Sequence, residues 1–265
     1  QILKNLKIKK KIKNKFLVIG TEVPLSGSGD NKNIIKTSKK QITAEVLKFR
    51  KILQKLNLQQ NLFGLVIEPG MKYMHSSITK PNLTNFSDKK IISKKNNFVY
   101  EAHSTDYQPK EILKKLVKNN FKFLKVGPEL TYNYSRALFL MENIEKKLFK
   151  IKNSNIKKTI LLSMLKNKKY WNGYYKKKDS KLFLNSKLDR MRYYLNTKSV
   201  INSIKTIKKN INLLDKKSII SLMDQNTKKE FLFFVKKKMS NFDIIKLIFI
   251  SKSLKRYFLA CGYRL

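Results

Sequence analysis

The sequence predicts an α/β fold with a parallel sheet, followed by an α-helical region. Short apolar runs that end in Gly, Pro or polar residues are typical of buried strands, and four of them lie at 16–24, 62–70, 98–106 and 121–128. Helical patterns lie between or after these runs, and a repeated order of strand and helix favours parallel pairing. The runs also lie within or beside stretches without lysine, in a chain that has 60 Lys and Arg residues.

Three helical patterns accompany the predicted strands. Residues 43–58 repeat apolar side chains at helical spacing, and residues 109–120 begin with proline and an early glutamate, which suit a first helical turn. Residues 128–149 carry a single apolar stripe. We therefore predict about four strand–helix units within residues 1–150.

Residues 151–265 have a different character. They contain few glycines and no convincing strand, and helical patterns occur at 159–175, 199–214 and 243–261. We predict two parts, an α/β part over residues 1–150 and an α-helical part over residues 151–265 that packs against it.

The net charge of +43 would suit a nucleic acid or an anionic membrane as partner. Only six of the basic residues are arginines, however, and arginine is the side chain that best matches phosphate and guanine. The lysines accompany many Asn, Ile, Phe and Tyr residues, the amino acids of A/T-rich codons. We interpret the charge as codon drift and expect no specific nucleic acid as partner. No apolar run reaches the length of a membrane span, so no membrane is expected. The single cysteine, Cys261, excludes an internal disulfide and fits a reducing compartment.

Polar side chains that a core would not tolerate unpaired follow each predicted strand. In parallel α/β folds the carboxyl ends of the strands line the functional site. The candidate pocket residues are Glu22 at the end of the first strand, Glu68 at the end of the second with His75 in the loop beyond, Glu101 and His103 at the end of the third with Asp106 after them, and Lys125 carried by the fourth. Side chains alternate along a strand, so Val99, Glu101 and His103 are expected on one side. The lysine-free stretches continue into loops where lysine should be harmless, which favours a pocket as their cause.

The chemistry of these residues stays open at this point. The two histidines, with Glu68 or Glu101, could ligate Zn²⁺, but their spacing matches no compact metal motif and structural hydrogen bonding is favoured. Lys125 could form a Schiff base if it were desolvated; binding a phosphate or pairing with a glutamate is the favoured alternative. No catalytic residue is assigned.

Several stretches also carry a family resemblance. They read "VIGTEVPLSGSG" (18–29), "VIEPGMKYMHSS" (66–77), "VYEAHSTDYQ" (99–108) and "FLKVGPELTYNYSRALFLMENIE" (123–145), with the later landmarks "KYWNGYY" (169–175), "DRMRYYL" (189–195) and "LKRYFLACG" (254–262). Together they resemble the non-catalytic subunit of class II D-tagatose-1,6-bisphosphate aldolase, from about residue 16 to the C-terminus.

The resemblance implies a TIM (β/α)8 barrel followed by an α-helical extension. That family is longer at its N-terminus, so we expect this sequence to be its C-terminal portion, with about four of the eight βα units. A fragment, a split gene product or a decaying gene would each account for the difference.

The resemblance also implies a cytoplasmic bacterial protein of galactitol and N-acetylgalactosamine catabolism. Its expected partner is a separate, zinc-dependent catalytic aldolase subunit, whose activity and stability it would support. We expect no cofactor on this chain, and no catalysis by this chain alone. Only a pocket role, with a sugar phosphate as possible ligand, is carried over to the seven candidate residues. The alternatives are a stand-alone sugar-phosphate lyase or isomerase of TIM-barrel type and a basic RNA-binding protein.

Overall fold

A computed structural model of the 265-residue chain describes residues 16–20, 36–82, 86–148, 153–175, 179–235 and 237–264. Its four main strands are β1 (Leu17–Ile19), β2 (Leu62–Ile67), β5 (Val99–Ala102) and β6 (Phe121–Leu124), and β3 (Lys72–Tyr73) and β4 (Ile78–Thr79) form a separate antiparallel pair. The main strands are all parallel, in the order β1-β2-β5-β6. The predicted α/β class, the four strands and their parallel pairing are thereby confirmed.

Helices alternate with these strands and then make up the rest of the described chain. They are α1 (Lys39–Lys55), α2 (Phe86–Lys95), α3 (Lys110–Lys118), α4 (Pro128–Leu148), α5 (Ile156–Lys166), α6 (Ser180–Asn185), α7 (Lys198–Leu213), α8 (Lys216–Ser221), α9 (Gln225–Val235) and α10 (Asn241–Ala260). Short 3₁₀ segments lie at Gln59–Asn61 and Arg190–Tyr194. The described residues beyond 150 contain no strand, as predicted.

Two of these helices differ from the sequence prediction. The helix predicted over 159–175 ends at Lys166, where Asn167 adopts an extended backbone conformation and turns follow. The sequence pattern did not single out α2, because its buried face is formed by Phe86, Lys89 and Ser93 and therefore has little apolar periodicity.

The two faces of the parallel sheet have different surroundings. Leu65, Tyr100 and Phe121 lie on one face and are buried with side chains of α1, α2 and α3. The opposite face, which we call the open sheet face, consists of Val18, Gly64, Val66, Val99, Glu101 and Phe123, which lie in register across the four strands. Val18 and Phe123 retain 37% and 38% of their surface exposed. A Cβ at Gly64 would lie 3.1 Å from the side chain of Val18, so β1 and β2 approach closely there.

The helical part has its own apolar core, and α10 joins it to the sheet. Ile244, Ile245 and Ile248 of α10 are buried in the helical core, whereas Ala260 at its end is buried with the helix-covered face of the sheet. Ser240 caps the start of α10 by accepting a hydrogen bond from the backbone N–H of Asp243. The division at residue 150 stays a prediction.

Two further observations concern the length and polarity of the helices and the single cysteine. Among the described residues, every helix is too short or too polar to cross a bilayer. Cys261 is a free, exposed thiol just after α10.

Candidate functional site

The candidate site lies at the carboxyl edge of the parallel sheet. Glu68 follows β2 directly, Glu101 lies within β5, His103 comes just after β5, and Lys125 follows β6. Because the strands are parallel, their carboxyl ends meet at one edge, and these four side chains come together there. We call them the rim cluster. Val99 and Glu101 share the open sheet face, while Tyr100 and Ala102 are fully buried on the other face, as the alternation predicted.

His103 is the centre of the rim cluster. Its Nε2 lies 3.0 Å from Oε1 of Glu101 and 3.4 Å from Nζ of Lys125, and its Nδ1 lies 3.8 Å from Oε1 of Glu68. The carboxylate of Glu101 can only accept a hydrogen bond, so the closest contact places the proton on Nε2. In the neutral ring Nδ1 is then an acceptor that faces Glu68.

Burial sets the protonation of this cluster. Glu68 is only 6% exposed, and burial raises its pKa to about 7, although the charge of Lys125 acts in the opposite direction. Burial and the charge of Lys125 lower the pKa of His103, while its hydrogen bond to Glu101 acts to raise it. Near neutral pH the imidazole is therefore uncharged and Glu68 is partly protonated. Oε1 of Glu68 has no hydrogen-bond partner among the described residues.

The backbone of Glu68 is fixed by a segment that the sequence analysis missed. Its N–H donates to Oγ1 of Thr37 over 2.9 Å, and its carbonyl accepts from the N–H of Thr37 over 3.0 Å. The buried Lys89 of α2 donates from Nζ to the carbonyl of Thr37 over 2.6 Å. Burial lowers the pKa of Lys89 to about 8, with a smaller effect from Lys36. These contacts join residues far apart in the chain, and no local pattern marks them.

Asp106 lies at the same edge but supports a helix. Its Oδ1 accepts hydrogen bonds from the backbone N–H groups of Gly127 and Glu129, over 2.8 and 3.0 Å, at the start of α4. These donors are the unpaired N–H groups of a helix N-terminus, so the carboxylate acts as a cap supplied from another loop. Burial nevertheless raises the pKa of Asp106 to about 6.

His75 also makes its described contacts away from the rim cluster. Its Nδ1 is 2.8 Å from Oγ of Ser186, and its ring stacks on Tyr175 with centroids 5.0 Å apart. It thereby joins the β3–β4 loop to the helical part. The two histidines therefore contact different groups, and the structural role favoured from the sequence stays a prediction. The described residues contain no group of three or more His, Cys, Asp or Glu side chains able to hold a metal ion.

Glu22 lies outside the described residues.

The loop that follows β5 differs from the sequence prediction, which treated it as a loop where lysine would be harmless. His103, Ser104, Thr105 and Asp106 are all at most 7% exposed. That interpretation was wrong, because burial of the loop alone excludes lysine.

A buried carboxylate in α4 explains why this loop is so well packed. Glu129, 1% exposed, accepts hydrogen bonds from the backbone N–H of Tyr107 and from Oγ of Ser253, over 2.5 and 2.7 Å, and pairs with Arg256. Tyr257 of α10 donates to the carbonyl of Thr105 over 2.9 Å. The last helix is therefore fastened to the edge of the sheet that carries the rim cluster.

A second polar group lies where the helical part meets this edge. Asp189 is fully buried and accepts a hydrogen bond from Thr131, and burial raises its pKa to about 7. Arg192 and Arg136 act against that rise. Half of the arginines of the chain, Arg136, Arg190 and Arg192, lie in α4 and the 3₁₀ segment around this aspartate.

Comparison with known proteins identifies the family of the chain. The family model described as "D-tagatose-1,6-bisphosphate aldolase subunit GatZ/KbaZ-like" matches residues 2–262. The D-tagatose-1,6-bisphosphate aldolase subunits GatZ of Escherichia coli O1:K1 / APEC and of E. coli strain 536 are each 33% identical to the chain over 215 residues. Those alignments cover 75% of this chain and 49% of each relative, so the chain spans about half the length of these relatives.

A solved structure shows the same fold. The crystal structure of a probable tagatose 6 phosphate kinase from Sinorhizobium meliloti 1021 superimposes with a TM-score of 0.79 at 21% identity. The superposition covers 93% of this chain and 62% of that one. At this identity the likeness concerns the fold alone. The family match, in contrast, extends over nearly the whole sequence, and the chain belongs to the D-tagatose-1,6-bisphosphate aldolase subunit GatZ/KbaZ-like family.

Proposed function

We propose that this chain is an accessory, non-catalytic subunit of a class II D-tagatose-1,6-bisphosphate aldolase. It would support the activity and stability of a separate zinc-dependent catalytic subunit, in the bacterial cytoplasm, during galactitol and N-acetylgalactosamine catabolism. The observation that carries this proposal is the family match over residues 2–262. Zinc belongs to the partner in this proposal, and the present chain holds no cofactor.

The finer part of the proposal concerns the fold. The four parallel strands form one sector of a TIM (β/α)8 barrel, with the open sheet face directed to the barrel interior. In such barrels the carboxyl ends of the strands surround the ligand site, and the rim cluster lies at those ends.

The rim cluster suits a phosphorylated sugar. Lys125 follows the last strand with an exposed side chain, and its ammonium group can pair with a phosphate. Glu68 and His103 offer a carboxyl group and an imidazole nitrogen, which can hydrogen-bond sugar hydroxyls. His75 and Asp106 take supporting roles, since their described contacts hold loops and a helix. Glu22 keeps the pocket role that the resemblance implies.

Turnover measurements test the accessory role. The chain is purified and mixed with the zinc-dependent catalytic subunit of a tagatose-bisphosphate aldolase, and cleavage of tagatose 1,6-bisphosphate is followed. We expect faster turnover or slower thermal inactivation of the catalytic subunit in the mixture, and no turnover by the chain alone. Metal analysis of the two purified proteins is expected to find zinc in the catalytic subunit. An unchanged catalytic subunit, with no complex on gel filtration, would contradict the proposal.

Two lysines, one within β6 and one just after it, test the ligand. Lys125→Met is expected to weaken binding of a sugar phosphate by about tenfold, because an ion pair with phosphate is lost. Lys122→Met is the matched control, since Lys122 is an exposed lysine within β6 of the same sheet. Isothermal titration calorimetry measures both. Equal loss in the two variants would show that only general charge is involved.

One observation favours a second candidate, a stand-alone sugar-phosphate lyase or isomerase. Glu68 combines an unpaired Oε1 with a pKa of about 7, which is the range that general acid–base catalysis needs. Turnover of a sugar phosphate by the purified chain alone, lost in Glu68→Gln, would favour this candidate over the accessory role.

A further inference from the structure

The helical part contains a cavity between the end of α5 and the start of α7. Its volume of about 690 Å³ lies within the range of roughly 300–1,000 Å³ that is usual for small-ligand sites. Its lining comes from α5, α7, the turn after α5 and the 3₁₀ segment before α7, and it shares no residue with the rim cluster. We call it the helical cavity.

Two stretches of sequence that the proposed function does not use meet at the helical cavity. Tyr170 belongs to "KYWNGYY" (169–175), and Tyr193 and Tyr194 belong to "DRMRYYL" (189–195). The rings of Tyr170 and Tyr193 stack with centroids 5.0 Å apart, and Tyr194 meets Tyr170 edge-on at 5.8 Å. One wall of the cavity is therefore an aromatic cluster whose rings hold one another in place.

Cations already lie over these rings. Nζ of Lys169 is 5.5 Å from the ring centroid of Tyr170, and Cζ of Arg192 is 4.4 Å from that of Tyr193. The hydroxyl of Tyr193 also accepts a hydrogen bond from Arg192 over 2.7 Å. Because the mutual stacking and the cation contacts occupy ring faces, little face is left for a nucleobase to stack on. The aromatic wall therefore gives the cavity a fixed shape and does not indicate a nucleotide.

Much of the remaining lining consists of groups that both donate and accept hydrogen bonds. The hydroxyl oxygens of Ser163, Thr197 and Ser199 lie 3.3–3.5 Å from one another, and Asn167 and Asn202 add carboxamides. Hydroxyl contacts of this length are weak, so these groups can turn toward a ligand. Side chains that donate and accept match the hydroxyls of a sugar or polyol.

Two lysines give the helical cavity its charge. Lys166 ends α5, Lys198 begins α7, and no carboxylate is among the residues that line the cavity. Within the described part of the chain neither ammonium group forms an ion pair, whereas Lys146, Lys157 and Lys246 pair with Glu or Asp. Lysine is common in this chain, but these two line a concave site that holds no compensating acid. Such a site suits an anion.

From these observations we infer that the helical cavity binds a small phosphorylated sugar or polyol. Lys166 and Lys198 pair with the phosphate, and the hydroxyls and carboxamides hydrogen-bond the sugar hydroxyls. This site is additional to the rim cluster, and the inference does not depend on the accessory role proposed above. The ligand contacts α5, α7 and the 3₁₀ segment together and thereby holds these three elements in place.

Isothermal titration calorimetry of the full chain tests this inference, with ribose 5-phosphate as the probe. The titrations use the Lys125→Met background, which weakens binding at the rim cluster, and about 0.15 M salt, which screens general attraction to the basic surface. We expect saturable binding of one ribose 5-phosphate per chain. Ribose and inorganic phosphate, which each lack one half of the ligand, should bind at least ~10-fold more weakly. Adenosine monophosphate, the same sugar phosphate with a nucleobase attached, should also bind more weakly.

Matched variants locate the site. Lys166→Met combined with Lys198→Met should weaken binding of ribose 5-phosphate at least ~10-fold, because both partners of the phosphate are lost. Lys158→Met combined with Lys205→Met is the control, since these exposed lysines lie on the same two helices, change the net charge equally and do not line the cavity. Ser199→Ala should weaken binding of ribose 5-phosphate about fivefold through one lost hydrogen bond and leave binding of inorganic phosphate unchanged.

Three results would overturn the inference. One is the absence of saturable ribose 5-phosphate binding up to about 10 mM. Another is an equal loss of binding in the two lysine pairs, which would show that only general charge attracts the ligand. The third is tighter binding of adenosine monophosphate or of ribose, which would assign the cavity to another class of ligand. Circular dichroism and the fluorescence of the single tryptophan, Trp171, confirm that each variant is folded, so a loss of binding reports on the cavity itself.

Discussion

Replacing the buried Glu68 by glutamine provides a sharp test of the rim cluster. The structure raises the pKa of this carboxyl from 4.5 to about 7, mainly through burial. In the unfolded chain the group returns to its ordinary value. Between these two values the folded state binds more protons than the unfolded state, so stability falls as pH rises.

The magnitude follows from the same two values. A shift of one pKa unit corresponds to 1.36 kcal/mol, so the full effect is about 3 kcal/mol, of which about 2.5 kcal/mol is lost between pH 5 and pH 8. Glutamine has nearly the same shape and does not ionise. Relative to the wild type, the unfolding free energy of Glu68→Gln is therefore expected to rise by about 2.5 kcal/mol over this pH range.

Urea denaturation at pH 5, 6, 7 and 8, followed by circular dichroism, measures this difference. Taking the difference between the two proteins removes the contributions of the other titrating groups. Glu111→Gln is the matched control, because the Glu111 side chain is 71% exposed and should give a constant difference. Parallel stability curves for the wild type and Glu68→Gln would refute the reasoning, since they would show that Glu68 is hydrated like a surface carboxylate.

Three further measurements test other contacts. Asp106→Ala should lower the unfolding free energy by about 2 kcal/mol. Asp106→Asn retains an oxygen that can accept from the N-terminus of α4 and should therefore lower it less. Equal losses of unfolding free energy in urea denaturation would contradict the capping role. Glu129→Ala should lower the unfolding free energy by about 2 kcal/mol and speed backbone amide exchange in α10, because Ser253 and Arg256 lose a buried partner. Unchanged amide exchange in α10 would show that its apolar contacts alone hold this helix. Binding of an arbitrary RNA should fall steeply with salt and be unchanged in Glu101→Gln; a loss in that variant would indicate a specific RNA site at the rim.

The sheet could be predicted from the sequence because its signals are local. Each strand is a short apolar run closed by glycine, proline or a polar group, and alternation along 99–103 placed Glu101 and His103 on the side opposite Tyr100. The α2 helix was missed for the converse reason, since Lys89 occupies its buried face and donates to Thr37, a residue 52 positions away. A pattern of apolar residues cannot report a lysine that is buried by such a contact.

The site was predicted in part for a similar reason. A carboxylate at the end of a strand can line a pocket or cap the N-terminus of a neighbouring helix, and the sequence does not distinguish these two roles. Glu68 turned out to face His103, whereas Asp106 accepts from the first N–H groups of α4. His75 likewise contacts Ser186 of the helical part, which lies 111 residues away in the sequence.

The lysine-free stretch at 96–109 therefore has two physical causes that act on neighbouring residues. Tyr100 and Ala102 are excluded from solvent by the helices, and Thr105 and Asp106 by the contacts that fasten α4 and α10. Only Glu101 and His103 belong to the rim cluster. If codon drift adds lysine wherever the structure tolerates it, packing alone would therefore keep lysine out of this whole stretch. Packing does not require that Glu101, His103 and Lys125 meet the buried Glu68, whose Oε1 has no hydrogen-bond partner among the described residues. Glu68→Gln tests the burial of that carboxyl directly.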